Sequence, residues 1–167
     1  MQIRRVREDD LEQMVLLERE LFKEPWTKEG FADALRMGGN LYLAAADESG
    51  EVLGYCGYYR SFTEADITNV AVARKHQRKG VGRALLQRLI EEGRSEGVED
   101  FTLEVRRSNR PAIALYESLG FETEGFRPRF YSMPVEDAAI MWLRTCRKTG
   151  STDAGCSDYK KTAGSFS

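Results

Sequence analysis

A short, positively charged turn is the stretch of this sequence best suited to bind an anion. Residues 77–83 read Gln-Arg-Lys-Gly-Val-Gly-Arg and join a β-branched run at 67–72 to an amphipathic stretch that begins at Val81. Gly80 and Gly82 let the backbone approach a ligand closely and point several N–H groups in one direction. The helix expected from Val81 adds its positive N-terminal end. The turn therefore has the features of a phosphate site.

Residue type excludes two familiar phosphate-binding turns and leaves one alternative open. A nucleoside-triphosphate loop has a longer glycine spacing and ends in Lys-Ser/Thr, and neither feature is present. A single Gly-x-Gly is weak evidence for a dinucleotide site. A solvated basic loop at a helix start would have the same composition, and the turn alone does not separate it from a phosphate site.

Three residues further along the chain could carry out or assist chemistry. Glu104 lies on the polar face of an alternating run at 101–106, where it could act as a general base or simply pair with Arg106. Tyr116 could present a phenol to a leaving group, although a helix aromatic usually packs in the core. Asn109 is placed to cap the next helix, and such a cap can also contact a ligand. For each residue taken alone, the structural role is the simpler interpretation.

Periodicity and turn signals predict the elements that position these residues. The pattern β-α-α-β-β-β-α-β-α-β-β indicates an α+β, or mixed α/β, fold with helices on both faces of a sheet. A strand is expected at 3–6, then a helix that Asp9 or Asp10 caps and that ends near residue 22, then a helix that starts at Thr27 and ends near residue 37. The later elements are expected at 41–46, 52–59, 64–72, 81–94, 101–106, 109–119, 121–129 and 138–144.

Overall composition limits the class of protein. The 167 residues include 41% hydrophobic and 31% charged side chains with a net charge of −2, which is typical of a globular protein. This charge gives no reason to expect direct binding to nucleic acid or to a membrane surface. No apolar run is long enough to span a membrane, and residues 1–5 lack a signal core, so a cytoplasmic protein is expected.

Cysteine and histidine usage predicts no metal site. Cys56, Cys146 and Cys156 are far apart and are interpreted as reduced thiols, and one histidine, His76, completes no metal-ligand pattern. From about residue 148 the chain is rich in Gly, Ser, Thr, Lys and Asp. We therefore expect one domain at 1–147 and a disordered polar tail at 148–167. The oligomeric state is left open.

Taken together, the motifs resemble those of the GNAT acetyltransferases. The turn at 77–83 precedes a strand and a helix that also match, with Leu-Glu-Val-Arg at 103–106, Ser-Asn at 108–109 and Ala-Ile-Ala-Leu-Tyr-Glu-Ser-Leu-Gly-Phe at 112–121. Within the superfamily, the chain is most similar to the RimI-type N-terminal alanine acetyltransferases, which modify a small-subunit ribosomal protein. Further matches lie at 25–27, 69–72, 131 and 136–138. The resemblance covers about residues 1–144.

This resemblance implies a GNAT fold and acetyl-CoA as cosubstrate. The fold has a central twisted, mostly antiparallel sheet of about seven strands. The turn would bind the pyrophosphate, and the strand before it would pair with the pantetheine like an added strand. A bulge would separate the fourth strand from the fifth, and a backbone N–H there would stabilise the tetrahedral oxyanion. The implied cosubstrate-binding residues are Val70, Ala71, Val72, Arg78, Lys79, Gly80, Val81, Gly82, Arg83 and Asn109.

The same resemblance assigns Glu104 as the base and Tyr116 as the acid in a direct attack by an amine. A terminal α-amine has a pKa near ~7.8 and a lysine near ~10.4, so at neutral pH the α-amine has roughly 400-fold more neutral form. An N-terminal acceptor therefore asks less of the base, and a carboxylate base needs either burial or a relaying water. A phenol of pKa ~10 can protonate a thiolate of pKa ~8.5 at a cost of roughly 2 kcal/mol.

The implied acceptor is a protein N-terminus, and in RimI-type enzymes it is the N-terminal alanine of a ribosomal protein. Trp26 and Tyr131 match positions that wall the peptide groove, and aromatic core packing is the competing interpretation of both. A small-molecule amine or a protein lysine is a same-fold alternative acceptor. A non-catalytic acyl-CoA-binding module is a further alternative, and the presence of both Glu104 and Tyr116 argues against it.

Overall fold

Seven strands form one sheet in the computed structural model, which describes residues 1–145. The strands are β1 (Gln2–Arg5), β2 (Leu41–Ala46), β3 (Val52–Ser61), β4 (Glu64–Val72), β5 (Asp100–Arg106), β6 (Glu122–Ser132) and β7 (Val135–Leu143). Their order across the sheet is β1-β2-β3-β4-β5-β7-β6, and only β4 and β5 are parallel. The predicted seven-stranded, mostly antiparallel sheet is therefore confirmed.

Four α-helices cover the two faces of this sheet. They are α1 (Leu11–Leu21), α2 (Lys28–Arg36), α3 (Val81–Ser95) and α4 (Arg110–Ser118), and single 3-10 turns precede α1 and α3. The helices α1 and α2 pack on one face over Tyr42 and Tyr55. The helices α3 and α4 pack on the other face, where Leu85, Leu89 and Phe101 are completely buried. The predicted order of elements and the helices on both faces are confirmed.

Two helix starts show how far local signals predict structure. Thr27 caps α2 as expected, because its hydroxyl accepts a hydrogen bond from the backbone N–H of Gly30 at 3.1 Å. Asp10 stands before α1, but its carboxylate does not cap that helix. It accepts from the backbone N–H of Arg7 at 2.7 Å and pairs with Arg4. The aspartate therefore fastens the 3-10 turn to β1, which the sequence pattern did not predict.

The β6–β7 hairpin extends further than its pattern predicted. β6 was expected at 121–129 and β7 at 138–144, whereas the strands meet in a tight turn around Pro134. β6 is an edge strand with mostly exposed residues on both faces, so no alternation of buried side chains marks its length. Pro128 lies within it, and proline is tolerated on an edge strand.

Some sequence expectations lie beyond the described part of the chain. The predicted polar tail at 148–167, the boundary at residue 147, and the thiols of Cys146 and Cys156 all fall outside the described residues. Cys56 is a buried free thiol on β3. Within residues 1–145, no helix is long and apolar enough to cross a membrane.

Candidate active site

The parallel strands β4 and β5 separate after a short paired stretch. Their pairing ends at the rung that joins Asp66 to Thr102. In the ladder with β3, Ile67 and Asn69 are paired and Thr68 between them is an extra residue. An extra residue bends a strand and ends regular pairing. The bulge in the fourth strand and the opening beside it, both expected from the sequence, are confirmed.

A cavity of about 700 Å³ occupies this opening. Its walls come from the segment between α1 and α2, from β4 and β5, from the start of α4 and from the β6–β7 hairpin. The residues singled out in the sequence that line it are Trp26, Val70, Glu104, Asn109, Tyr116 and Tyr131. The fold therefore brings both predicted catalytic residues and both predicted acceptor residues to one cleft.

One edge of β4 is left without a neighbouring strand beyond Asp66. Residues 67–72 pair with β3 on one side only, because β5 has already diverged. Alternate residues of a paired strand turn their N–H and C=O groups toward opposite neighbours, so some of these groups face the opening. Val70 lines the cavity, while Ala71 is buried under α1 and α2. An extended ligand could pair with this edge through backbone contacts.

The cationic turn has the backbone shape of an anion site. Gly80 has a φ of +83° and precedes α3 without a side-chain cap, so the first N–H groups of that helix have no acceptor within it. Arg78 also has a positive φ, of 62°. The side-chain amide of Gln77 donates to the carbonyl of Val72 at 3.0 Å. This bond fastens the turn to the end of β4, so that the open strand edge leads to the N-terminus of α3.

The positive charge of the turn is narrower than the sequence indicated. Arg74 and Lys75 form ion pairs with glutamates of other elements. Arg83 donates a hydrogen bond to a serine of α4 at 2.7 Å. Arg78 and Lys79 are exposed, and neither forms an ion pair within residues 1–145. These two side chains are the cations that remain available to a phosphate group.

Glu104 lies at the cleft with a side chain that is 25% exposed. Its carboxylate pairs with Arg127 of β6 at 3.2 Å, whereas the expected partner, Arg106, pairs with Glu136 instead. Burial, together with the negative charge of Glu104, raises the pKa of Asp66 next to it. The carboxylate of Glu104 is thus only partly removed from water, which favours a relaying water over burial as the way it would act as a base.

Tyr116 is 8% exposed on α4 and also reaches the cleft. Its hydroxyl makes no hydrogen bond to any residue that the structure describes. Burial raises the pKa of Tyr116 well above that of a free phenol. The phenol is therefore protonated at neutral pH, and returning its proton to a thiolate is more uphill than the roughly 2 kcal/mol expected from model values unless the thiolate is desolvated as well.

The remaining predicted residues stand at the rim. Asn109 caps α4, because its side-chain oxygen accepts from the N–H of Ala112 at 3.3 Å, and its amide nitrogen is left for a ligand. Trp26 is 37% exposed, and Tyr131 is half-buried with the guanidinium of Arg106 4.2 Å above its ring. Core packing therefore does not account for either aromatic residue.

Three features of the cleft were missed in the sequence. Arg127 reaches Glu104 across β7, and no local pattern signals a pair that depends on strand order. The bulge at Thr68 interrupts no visible alternation. Glu18 is completely buried on α1 and lines the cavity, and its signal was a charged residue within an apolar helical stripe.

The fold and the cleft define a class of acyl-transferring protein. A model of the acetyltransferase (GNAT) family matches residues 9–121, more than half of the chain. The chain belongs to this family.

Individual relatives narrow the resemblance. The [ribosomal protein bS18]-alanine N-acetyltransferase of Escherichia coli strain K12 is 38% identical over 136 residues, which cover 80% of this chain and 90% of the relative. The N-alpha-acetyltransferase RimI of Mycobacterium tuberculosis is 34% identical over 138 residues, which cover 79% and 85%. The crystal structure of the ribosomal-protein-S18-alanine N-acetyltransferase from Escherichia coli superposes with a TM-score of 0.79 at 34% identity and covers 92% of this chain and 99% of that one. The RimI-type resemblance is confirmed.

Proposed function

We propose that this protein transfers the acetyl group of acetyl-CoA to the N-terminal α-amine of a protein. The acceptor that fits best is the N-terminal alanine of a small-subunit ribosomal protein, as the names of the relatives indicate. One observation carries the proposal: the open edge of β4, Glu104 and Tyr116 meet at a single cavity. A fold of this family alone would not indicate chemistry, because function resides in the site.

The cosubstrate site combines the turn and the strand edge. Acetyl-CoA supplies the activated acetyl thioester. The first N–H groups of α3, with Arg78 and Lys79, would hold the pyrophosphate, since a helix N-terminus and cations both favour an anion. The backbone at Val70–Val72 would pair with the pantetheine, and the side chain of Asn109 would add a contact from α4.

Glu104 would accept the proton that the attacking amine loses. Its carboxylate is partly exposed at the cleft, so a single water between the amine and the carboxylate is sufficient for the transfer. Arg127 fixes the orientation of the carboxylate from the opposite side. An α-amine suits this arrangement, because near neutral pH a large fraction of it is already neutral.

Tyr116 would protonate the departing thiolate. Its hydroxyl is not engaged by any described residue, and the ring is held by contact with Phe121 at a centroid distance of 5.9 Å. Burial raises the pKa of Tyr116, which keeps the proton on the phenol until a strong base such as a thiolate appears beside it.

The acceptor would enter between the 22–27 segment and the β6–β7 hairpin. Trp26 on one side and Tyr131 on the other present partly exposed aromatic surfaces to the cleft. Aromatic residues supply large contact area with few rotatable bonds, which suits recognition of a short peptide end. The cleft is open at this side, so the remainder of a protein acceptor can remain in solvent.

A panel of acceptors tests the proposal. The protein is incubated with acetyl-CoA and, separately, with peptides that begin with Ala, N-terminally blocked lysine peptides and small polyamines, and free thiol is followed. We expect thiol release with the Ala-starting peptides. Release only with lysine peptides or small amines would replace the acceptor class, and binding of acetyl-CoA without release from any amine would indicate a non-catalytic module.

The backbone conformation at Gly80 gives a separate prediction for the cosubstrate. Gly80→Ala places a side chain at a φ of +83°, which costs roughly 1–2 kcal/mol, and relief of this strain would move the N–H groups of the turn. We expect the dissociation constant of acetyl-CoA to rise by about five- to tenfold in calorimetric titration. Gly50→Ala is the matched control, since Gly50 has a φ of +89° and equally open surroundings in the turn between β2 and β3. Equal losses of affinity in both variants would show that the turn does not hold the ligand.

A further inference from the structure

One buried carboxylate of the cleft has no part in the reaction proposed above. Glu18 of α1 is 1% exposed and lines the cavity. Its Oε1 accepts a hydrogen bond from the hydroxyl of Tyr55, and its Oε2 accepts from the backbone N–H of Trp26 at 2.9 Å. Within residues 1–145 it forms no ion pair. Burying a carboxylate with only uncharged donors is costly compared with an apolar side chain, so this residue calls for a specific role.

The bond to Glu18 fastens a segment that has little other support. Residues 22–27 connect α1 to α2 without helix or strand. Among residues 23–26, only Trp26 has a backbone N–H with an acceptor in the described structure. The ring of Trp26 rests on Phe31 at a centroid distance of 5.3 Å. The position of this wall of the cleft therefore depends on one carboxylate oxygen and one ring contact.

The other oxygen of Glu18 connects this wall to the bulged strand. Tyr55 on β3 is completely buried, and its hydroxyl lies within reach of the side chain of Asn69 on β4. Asn69 follows the bulge at Thr68 and also lines the cavity. Tyr42 joins the same group, since its hydroxyl lies 3.4 Å from the hydroxyl of Thr68 and 3.5 Å from Asn69 Oδ1. A continuous polar chain thus runs from the 22–27 segment to the strand at which the sheet opens.

We propose that Glu18 is a positioning residue for the amine acceptor. By binding the Trp26 amide and the Tyr55 hydroxyl at once, it sets the distance between the Trp26 wall and β4. It thereby sets the width of the entrance through which the acceptor reaches Glu104. The inference rests on the proposed function for the identity of the acceptor. Glu18 does not touch the reacting groups, and it lies away from the turn that would hold the pyrophosphate.

Glu18→Gln tests this role with little change of shape. The amide nitrogen of glutamine cannot accept a hydrogen bond, so either Trp26 or Tyr55 loses its partner. We expect KM for the acceptor to rise about tenfold, kcat to fall by less than about threefold, and the dissociation constant of acetyl-CoA to stay within about twofold. Amide hydrogen exchange at Trp26 should become faster. Glu12→Gln is the control, because Glu12 is on the same helix and pairs with Lys28 outside the cleft.

Several outcomes would overturn the inference. An acceptor KM within twofold of wild type, slow exchange retained at Trp26, or a parallel loss of acetyl-CoA affinity would each contradict a positioning role for the acceptor. If Glu18→Gln does not fold, Tyr55→Phe removes one donor and keeps the ring, and it should raise the acceptor KM by roughly threefold. KM is measured with whichever amine the wild type acetylates, and exchange at Trp26 needs no acceptor. Failure of the proposed function would appear in the wild type and is therefore distinct.

Discussion

Replacing Glu104 by glutamine is expected to lower kcat by roughly 10²- to 10⁴-fold, the usual contribution of a positioned general base. The amide keeps the volume of the side chain but cannot accept the proton of the amine. Arg127 loses its ionic partner at little cost, since its own side chain is 54% exposed. The dissociation constant of acetyl-CoA should therefore stay within about twofold of wild type.

The pH dependence of this variant gives a second readout. The α-amine of the acceptor loses its proton on its own as pH rises through about 8, and above that value a base has less to do. The defect of Glu104→Gln should therefore be largest below pH 7 and smaller at pH 9. Glu122→Gln is the control, because Glu122 is exposed at the start of β6. Wild-type turnover in Glu104→Gln while chemistry is rate-limiting would remove Glu104 from the mechanism.

Replacing Tyr116 by phenylalanine is expected to lower kcat by roughly 10²-fold or more, because the thiolate then leaves without a proton donor. The ring keeps its contact with Phe121, and the lost hydroxyl makes no hydrogen bond to a described residue. Thermal unfolding and acetyl-CoA affinity should therefore be close to those of wild type. Single-turnover measurements with saturating acetyl-CoA isolate the chemical step.

A suitable control for Tyr116→Phe is Tyr59→Phe. Tyr59 is 46% exposed on β3 and does not line the cleft, so its hydroxyl should contribute nothing to turnover. A Tyr116→Phe protein with the single-turnover rate of wild type would show that water protonates the thiolate. A variant with the same loss of rate but a much lower melting temperature would indicate that the hydroxyl supports the fold.

Local sequence signals predicted the parts of the site that depend on a few neighbouring residues. The Thr27 cap, the left-handed Gly80 and the Asn109 cap all follow from residue type and short-range spacing, and the structure contains each of them. Motif order then placed Glu104 and Tyr116 near the open strand edge, and the fold brings both to one cavity. These features were accessible because backbone geometry restricts which residues can occupy them.

Other features depend on strand order and could not be predicted in this way. Arg127 meets Glu104 only because β6 lies beyond β7, so that a residue two strands away reaches the cleft. The carboxylate of Glu18 bonds to residues 8 and 37 positions further along the chain. The full length of β6 had no periodic signal, since an exposed edge strand buries neither face. Long-range pairs of this kind need the tertiary structure.

The site of acetylation on one peptide tests the central claim most directly. The peptide begins with a free alanine and carries one internal lysine, so that an α-amine and an ε-amine compete in the same molecule. After incubation with acetyl-CoA and the protein, tandem mass spectrometry locates the added acetyl group. The proposed function predicts acetylation at the N-terminal alanine, with the lysine unmodified at early times. Acetylation of the lysine with a free N-terminus, or no acetylation of either amine, would contradict it.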